Sequence, residues 1–303
     1  LIFNRSLSAN EVQAMYANAS AKYLNASVSM AEGTRDLTVY SQDVGGNVVS
    51  SVVANVSVDL TSPTVSVVSP LNTTYNSSSV VVNVSSSEEG TGMIVGNLDN
   101  SLVSWWRMDD ANATSVEDYV GSNNGTIVNA LQTDGGKFGK GFSFDGDGDY
   151  LDVGDEIDGQ FGSNELSFSF WAKRNSYIGN AGVISFGDSG SRQLWVYGTG
   201  SGLAMNARNS TGTSFLISGT QSDDVWNHYA GTINATNMSY YKDGALIDSI
   251  AFSGGLHAGS NNNFIGYQYL QTYFNGSIDD VLIFNKSLTA DEILGLYNAT
   301  RVS

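Results

Sequence analysis

Apolar and polar residues alternate in short runs through most of this chain, the two-residue period of strands with one buried face. Leu166, Phe168 and Phe170 fall on one side of "LSFSFW", and Tyr150 and Asp152 alternate against Leu151 and Val153. Glycine-, Asn- and Asp-containing turns separate the runs, and "KDG" at 242–244 predicts a hairpin turn between "MSYY" and "ALID". A helical period appears near the C-terminus, where "SLTADEILGLY" puts Ile293, Leu296 and Tyr297 on one face. Thr289 is its N-cap and Glu292 stands three residues on, a capping box. The pattern predicts an all-β chain with one short helix after its last strand.

That last strand and helix have a copy. Leu1–Tyr16 matches Leu282–Tyr297 at nine of sixteen positions, including Phe3/Phe284, Leu7/Leu288, Glu11/Glu292 and Tyr16/Tyr297. Ser8, Glu11, Val12, Met15 and Tyr16 repeat the cap and the apolar face. The expectation is a tandem repeat. In it, residues 1–18 are the final strand and helix of a preceding unit.

Composition narrows the class. With 41% apolar and 11% aromatic residues in 303, the chain has material for two or three folded domains. It has no cysteine, hence neither disulfides nor thiolate metal sites. A net charge of -17, with only 13 Lys and Arg, argues against nucleic acid and anionic membrane surfaces as partners and leaves cations plausible. No apolar run reaches the roughly 20 residues of a membrane span, so no membrane contact is expected within this segment. Fifteen Asn-x-Ser/Thr sequons occur, at Asn4, Asn18, Asn25, Asn55, Asn72, Asn76, Asn83, Asn112, Asn124, Asn209, Asn234, Asn237, Asn275, Asn285 and Asn298. They predict N-linked glycans on an extracellular, cell-surface protein, although a chain rich in Ser, Thr and Asn also makes sequons by composition alone.

Two stretches resemble known families. "VYSQDVGGN", with Tyr40, Asp43, Gly46 and Asn47, is similar to the closing strands of the immunoglobulin-like domains of bacterial and archaeal surface proteins. "TSPTVSVVSPLNTTYNSSSVVVNVSSSEE" (61–89) looks like the opening of such a domain, with Pro63 and Pro70 bracketing one strand and Val80, Val82 and Val84 alternating in the next. Late strands (19–60) thus precede early ones (61–97). Either 61–97 is completed by the late half of a following unit, or 19–97 closes one sandwich by itself. "LVSWWRMDD", "GKGFSFDGDGDYLDV", "LSFSFWAKRN", "VWNHYAGTI" and "NGSIDDVLIFNKSLTADEILGLY" occur within 98–300 in the order seen in the laminin-G-like, concanavalin-A-like jelly rolls. The fold expected is therefore a concanavalin-A-like jelly-roll sandwich plus a smaller immunoglobulin-like β-sandwich, split by the jelly roll in the first of those readings. Trp105, Trp106, Trp171, Trp195 and Trp226 are expected as core or cleft walls.

Candidate chemistry concentrates in "DGDGDYLDVGDE". Asp145, Asp147, Asp149 and Glu156 have the spacing of a helix-loop-helix Ca²⁺ loop, but Tyr150 occupies the position that needs glycine and strands flank the loop. The jelly-roll resemblance implies another geometry, in which Asp145, Gly146, Asp147 and Asp149 meet Asp279 around a Ca²⁺ ion. "DEID" at 155–158 resembles the start of a glycanase strand, with Glu156 and Asp158 in its first two acidic positions. Gln160 and Phe161 stand where the second Glu belongs, so the carboxylate pair that retaining hydrolysis needs at about 5–5.5 Å is missing. His228 and His257 supply no triad. The reading is a non-enzymatic repeat unit of a glycosylated structural surface protein (stalk, adhesin or filament) whose partners are neighbouring copies of itself. The alternatives are a calcium-dependent carbohydrate- or surface-binding adhesin module, and an accessory module of a glycan-degrading enzyme.

Overall fold

The computed structural model describes residues 6–7, 30–42, 45–77, 80–87, 95, 99–155, 157, 165–176, 179–187, 194–220, 223–256, 263–268 and 272–299. The chain divides into two compact units, Leu1–Ser87 and Glu88–Ser303. The copy of the strand and helix at 1–18 lies outside the described residues, apart from 6–7.

The first unit holds two separate two-stranded sheets. Strand β1 (Gly33–Gln42) pairs antiparallel with β2 (Val48–Val58), and β3 (Val65–Ser69) with β4 (Asn83–Ser86). Both expected strands around "VYSQDVGGN" are present, while Val80 and Val82 precede β4 instead of lying in it. Among the described residues these strands do not form one closed sandwich.

The second unit carries the core. Its strands begin with β5 (Leu102–Trp106), β6 (Ser115–Val116), β7 (Gly125–Val128), β8 (Leu131–Thr133), β9 (Gly141–Asp145) and β10 (Tyr150–Asp152). Next come β11 (Leu166–Arg174), β12 (Gly182–Phe186), β13 (Leu194–Gly198), β14 (Leu203–Arg208), β15 (Ser214–Ser218) and β16 (Asn227–Ile233). The last are β17 (Asn237–Lys242), β18 (Ala245–Ala251), β19 (Phe264–Ile265), β20 (Tyr267–Gln268), β21 (Thr272–Tyr273) and β22 (Asn275–Phe284), followed by helix α1 (Ala290–Ala299). One sheet runs β18-β17-β16-β11-β22-β9-β8, with β5 also on β22. The other runs β15-β14-β13-β12-β19-β10-β7-β6, with β20 and β21 alongside. Two sheets in this arrangement make a jelly-roll sandwich, and all five sequence stretches that suggested one contribute strands to it.

Strand alternation builds the interior. Phe168, Phe170 and Ala172 of β11 face inward onto Phe142 and Phe144 of β9, Tyr229 of β16, Tyr240 of β17 and Ile278, Val281 and Ile283 of β22. Burying a side chain of this size contributes about 1.5–3 kcal/mol each. Trp106 is fully buried, its indole N–H donating to the Asn123 carbonyl at 2.8 Å. The outer face of the β11 sheet is also apolar, because α1 covers it: Leu102, Ala230, Tyr241, Leu282 and Phe284 pack with Leu288, Ile293 and Leu296. The capping box forms as expected. Glu292 N–H donates to Thr289 Oγ1 at 3.2 Å, and Thr289 N–H donates to Glu292 Oε2 at 2.8 Å. "KDG" turns β17 into β18 with Asp243 and Gly244 both left-handed, at φ 50° and 75°. α1 packs on the sheet that holds β11, β16 and β22 and not on the sheet that holds β10 and β19.

Candidate functional site

The acidic stretch crosses from one sheet to the other, leaving β9 at Asp145 and entering β10 at Tyr150. Gly146 and Gly148 take φ 91° and 81°, which allows so tight a crossing. The Asp147 N–H donates to Asp145 Oδ1 at 2.7 Å, and the Asp145 N–H to Asp149 Oδ2 at 2.9 Å. Asp149 is buried, which pushes its carboxyl above the usual range, opposed by the Asp145 N–H and reinforced by the Asp145 charge. Asp145 and Asp147 remain exposed.

Asp279 does not join this loop. Strand register sets Asp145 opposite Asn275, whose Nδ2 donates to the Asp145 carbonyl at 2.8 Å. Asp279 lies four residues further along β22, roughly 13 Å away at about 3.3 Å per residue. Its carboxylate is engaged elsewhere: Oδ2 accepts from the N–H groups of Lys137 (2.7 Å) and Phe138 (3.0 Å), and Oδ1 from Asp280 N–H (2.9 Å). Burial pushes both Asp279 and Asp280 up; at Asp279 the Asp280 charge adds to this and the backbone donors oppose it. Asp280 occupies a bulge with φ 46° and accepts from Trp105 Nε1 at 2.9 Å. The pair fastens the 137–138 loop and Trp105 to the sheet. Among the described residues no group of three His, Cys, Asp or Glu is placed to hold a metal.

Beside the 145–149 loop the structure gathers four aromatic side chains. Leu151 and Ile265 point into the core, so their neighbours Tyr150 and Phe264 point out of the β10–β19 sheet. Tyr267 and Tyr273 join them from β20 and β21. Ring centroids are 5.3 Å apart for Tyr150–Tyr267, 5.5 Å for Tyr150–Phe264, and 4.9 Å for both Phe264–Tyr267 and Tyr267–Tyr273. All four are half-buried. Gly266 lets the chain turn here: its φ is 86°, and a Cβ would lie 2.4 Å from the Phe144 ring. Half-buried Asp152 sits next to Phe264 across the strands. The alternation of Tyr150 signals an outward tyrosine, but the sequence reading did not assemble this cluster.

Two other features compete for attention. A polar cavity of about 360 Å³ is lined by Asp110, Ala111, Asn112, Ser115, Glu117 and Asn124. Ser169 Oγ and His228 Nε2 lie 2.7 Å apart, the spacing of a nucleophile and base, but both residues are buried on the face that α1 covers, where Trp171 stacks on Tyr297 and the His228 ring lies tilted against both. Burial alone lowers the imidazole to about 3. A neutral, sealed histidine with no carboxylate on Nδ1 is a packing residue. Glu156, Asp158 and His257 lie outside the described residues.

The sequons divide by environment. Asn55, Asn72, Asn76, Asn83, Asn112, Asn124, Asn237, Asn285 and Asn298 are exposed, and Asn234 and Asn275 are half-buried. Asn209 is buried, its Oδ1 accepting from the N–H groups of Thr211 and Thr213 while Nδ2 donates to the Ser253 carbonyl at 2.8 Å. Asn4, Asn18 and Asn25 lie outside the described residues.

Comparison with known proteins agrees with this architecture. Residues 145–294 match the family model described as the concanavalin A-like lectin/glucanases superfamily (laminin G type 3). The second unit has the fold of the concanavalin A-like lectins and glucanases. Domain 4 of AbnA, an extracellular GH43 arabinanase from Geobacillus stearothermophilus solved with arabinotriose, is similar at TM-score 0.54 and 16% identity over 66% of this chain and 98% of that one. The binding domain of botulinum neurotoxin DC, solved in complex with SialylT, is similar at 0.55 and 19%, over 67% of this chain and 52% of that one. Trypanosoma rangeli sialidase with the inhibitor DANA gives 0.50 and 17%, over 65% and 32%. At these identities the likeness concerns the fold. No curated protein matches the sequence significantly.

Proposed function

We propose that the second unit is a carbohydrate-binding module of an extracellular surface protein, and that sugar rings rest on Tyr150, Phe264, Tyr267 and Tyr273. The observation that carries this reading is the outward aromatic cluster on the sheet that α1 leaves uncovered. Aromatic faces present apolar area with little conformational freedom to lose. Exposed Asp145 and Asp147 beside them accept hydrogen bonds from hydroxyl groups. The arabinanase domain in complex with arabinotriose and the toxin binding domain in complex with SialylT support a glycan as the ligand class.

Charge sharpens the choice of glycan. Acidic groups at the site, on a chain of net charge -17, oppose anionic sugars, so neutral oligosaccharides are favoured over sialylated or sulfated ones. The test is a glycan array probed with the full chain, with calcium and with EDTA in parallel arms to examine the cation expected from sequence. Binding to neutral glycans that Tyr267→Ala weakens at least about tenfold, an aromatic contact of roughly 1.4 kcal/mol, supports the proposal. A blank array, or binding that Tyr267→Ala leaves unchanged, refutes it.

A repetitive structural setting for this module is the second reading. The residues that make several contacts of the closing strand and helix have sequence counterparts at the start of the chain. Leu282, Phe284, Leu288, Ile293 and Leu296 pack beneath α1, Lys286 Nζ pairs with Glu292 at 2.7 Å, and Thr289 caps. The corresponding residues are Leu1, Phe3, Leu7, Val12, Met15, Arg5, Glu11 and Ser8. Exposed Leu294 corresponds to Gln13. Apolar, capping and charged character is kept at these positions, so the sequence of 1–16 reads as the closing element of another jelly roll.

A further inference from the structure

On the reading that sugar rings rest on the aromatic cluster, we infer that the bound glycan is an extended neutral oligosaccharide crossing the sheet from that cluster into the polar cavity at 110–124. Strand register joins the two places. Val116, Leu151 and Ile265 point into the core, so their neighbours Ser115, Asp152 and Phe264 point outward. Pairing sets Ser115 opposite Thr126, Thr126 opposite Asp152, and Asp152 opposite Phe264. These four residues make one outward row across β6, β7, β10 and β19. Three strand spacings separate its ends, about 14 Å at roughly 4.8 Å each. The row begins in the cavity, where Ser115 is one of the walls, and ends in the aromatic cluster at Phe264.

The walls of the cavity suit hydroxyl groups. Its volume of about 360 Å³ falls in the range of small-ligand pockets. Two of its amides are fixed in place. Asn112 Oδ1 accepts from the Thr114 and Ser115 N–H groups, both at 2.9 Å, and Asn124 Oδ1 accepts from the Asp118 N–H at 2.9 Å. Each amide therefore presents its NH₂ group as a donor. Arg107 holds Asp110 at 3.1 Å, and exposed Glu117 adds a second carboxylate. A sugar hydroxyl both donates and accepts, so fixed donors beside fixed acceptors match it, and fixing them beforehand lowers the cost of binding. Exposed Thr126 and half-buried Asp152 supply polar groups along the way. A pyranose in an extended chain is about as long as one strand spacing, so the row takes about four units. A disaccharide reaches only one end of it. The carboxylates at both ends keep the preference for neutral sugars.

The probes are neutral arabino-, xylo-, gluco-, galacto- and manno-oligosaccharides, each as a series of one to six units, titrated into the full chain. Asn112 and Asn124 begin sequons, so the chain comes from a host that adds no N-glycans. In a series that binds, the Kd is expected to fall at least about tenfold between two units and four. Glu117→Ala should remove most of that gain and leave the disaccharide Kd unchanged, while Glu117→Gln, which still forms hydrogen bonds, keeps more of it. Glu117 is exposed, so both variants should melt with the wild type. Equal affinity for two and six units overturns the inference, and the aromatic site still stands if Tyr267→Ala weakens the disaccharide. A length gain that Glu117→Ala leaves intact overturns it as well. Absence of binding in every series overturns the aromatic reading and this inference with it.

Discussion

At the level of single residues, burial has made two kinds of side chain do opposite things. His228 is sealed beneath α1 and neutral, its imidazole lowered to about 3 by desolvation. The unfolded chain binds that proton near the ordinary value of about 6.5, so lowering the pH from there favours unfolding by up to about 1.4 kcal/mol per pH unit. Asp279 and Asp280 are pushed upward and hold protons the unfolded chain has released, so their contribution strengthens on acidification. A denaturation series from pH 6.5 to 5 on wild type and His228→Gln separates them. The variant's stability should gain on the wild type by roughly 2 kcal/mol across that interval; parallel curves would mean that His228 is hydrated or charged in the fold. Asn209 provides a second residue-scale prediction. Its amide is spent on Thr211, Thr213 and Ser253, so mass spectrometry of protein from a glycosylating host should find it bare while exposed sites such as Asn237 carry sugar. A glycan at Asn209 would contradict the buried loop.

At the level of elements, what could be read from sequence was what depends on neighbours in the chain. The Phe168/Phe170 alternation, the turn at Asp243–Gly244 and the Thr289–Glu292 box are local, and each formed as expected. Register is not local. The acidic pair before the last strand was expected beside Asp145, but the bulge at Asp280 and the pairing of Asn275 with Asp145 carry Asp279 along the sheet to the 137–138 amides. The aromatic face was hidden for the same reason, since β10 meets β19, β20 and β21 only in the folded sheet. The cap itself can be weighed. Thr289→Ala removes one of the two reciprocal bonds at the helix start and should cost about 1 kcal/mol. For a unit of this size that lowers the Tm by about 2–4 °C, readable by calorimetry; an unchanged Tm would mean that α1 contributes little to closing the sheet.

At the level of the whole molecule, two units carry two different physical problems. The jelly roll buries the inner faces of its two sheets against each other and part of one outer face under α1, and leaves the aromatic cluster at Tyr150 half-buried on the other sheet. In the first unit Tyr40, Val48, Val52, Val65 and Val67 are exposed. The measurement that decides most is calorimetric titration of the full chain with a neutral oligosaccharide chosen from the array. A 1:1 enthalpic isotherm is expected for wild type. Tyr267→Ala and Tyr273→Ala should each weaken it at least about tenfold, and both should melt within a few degrees of wild type. Undiminished affinity in both variants would contradict the account.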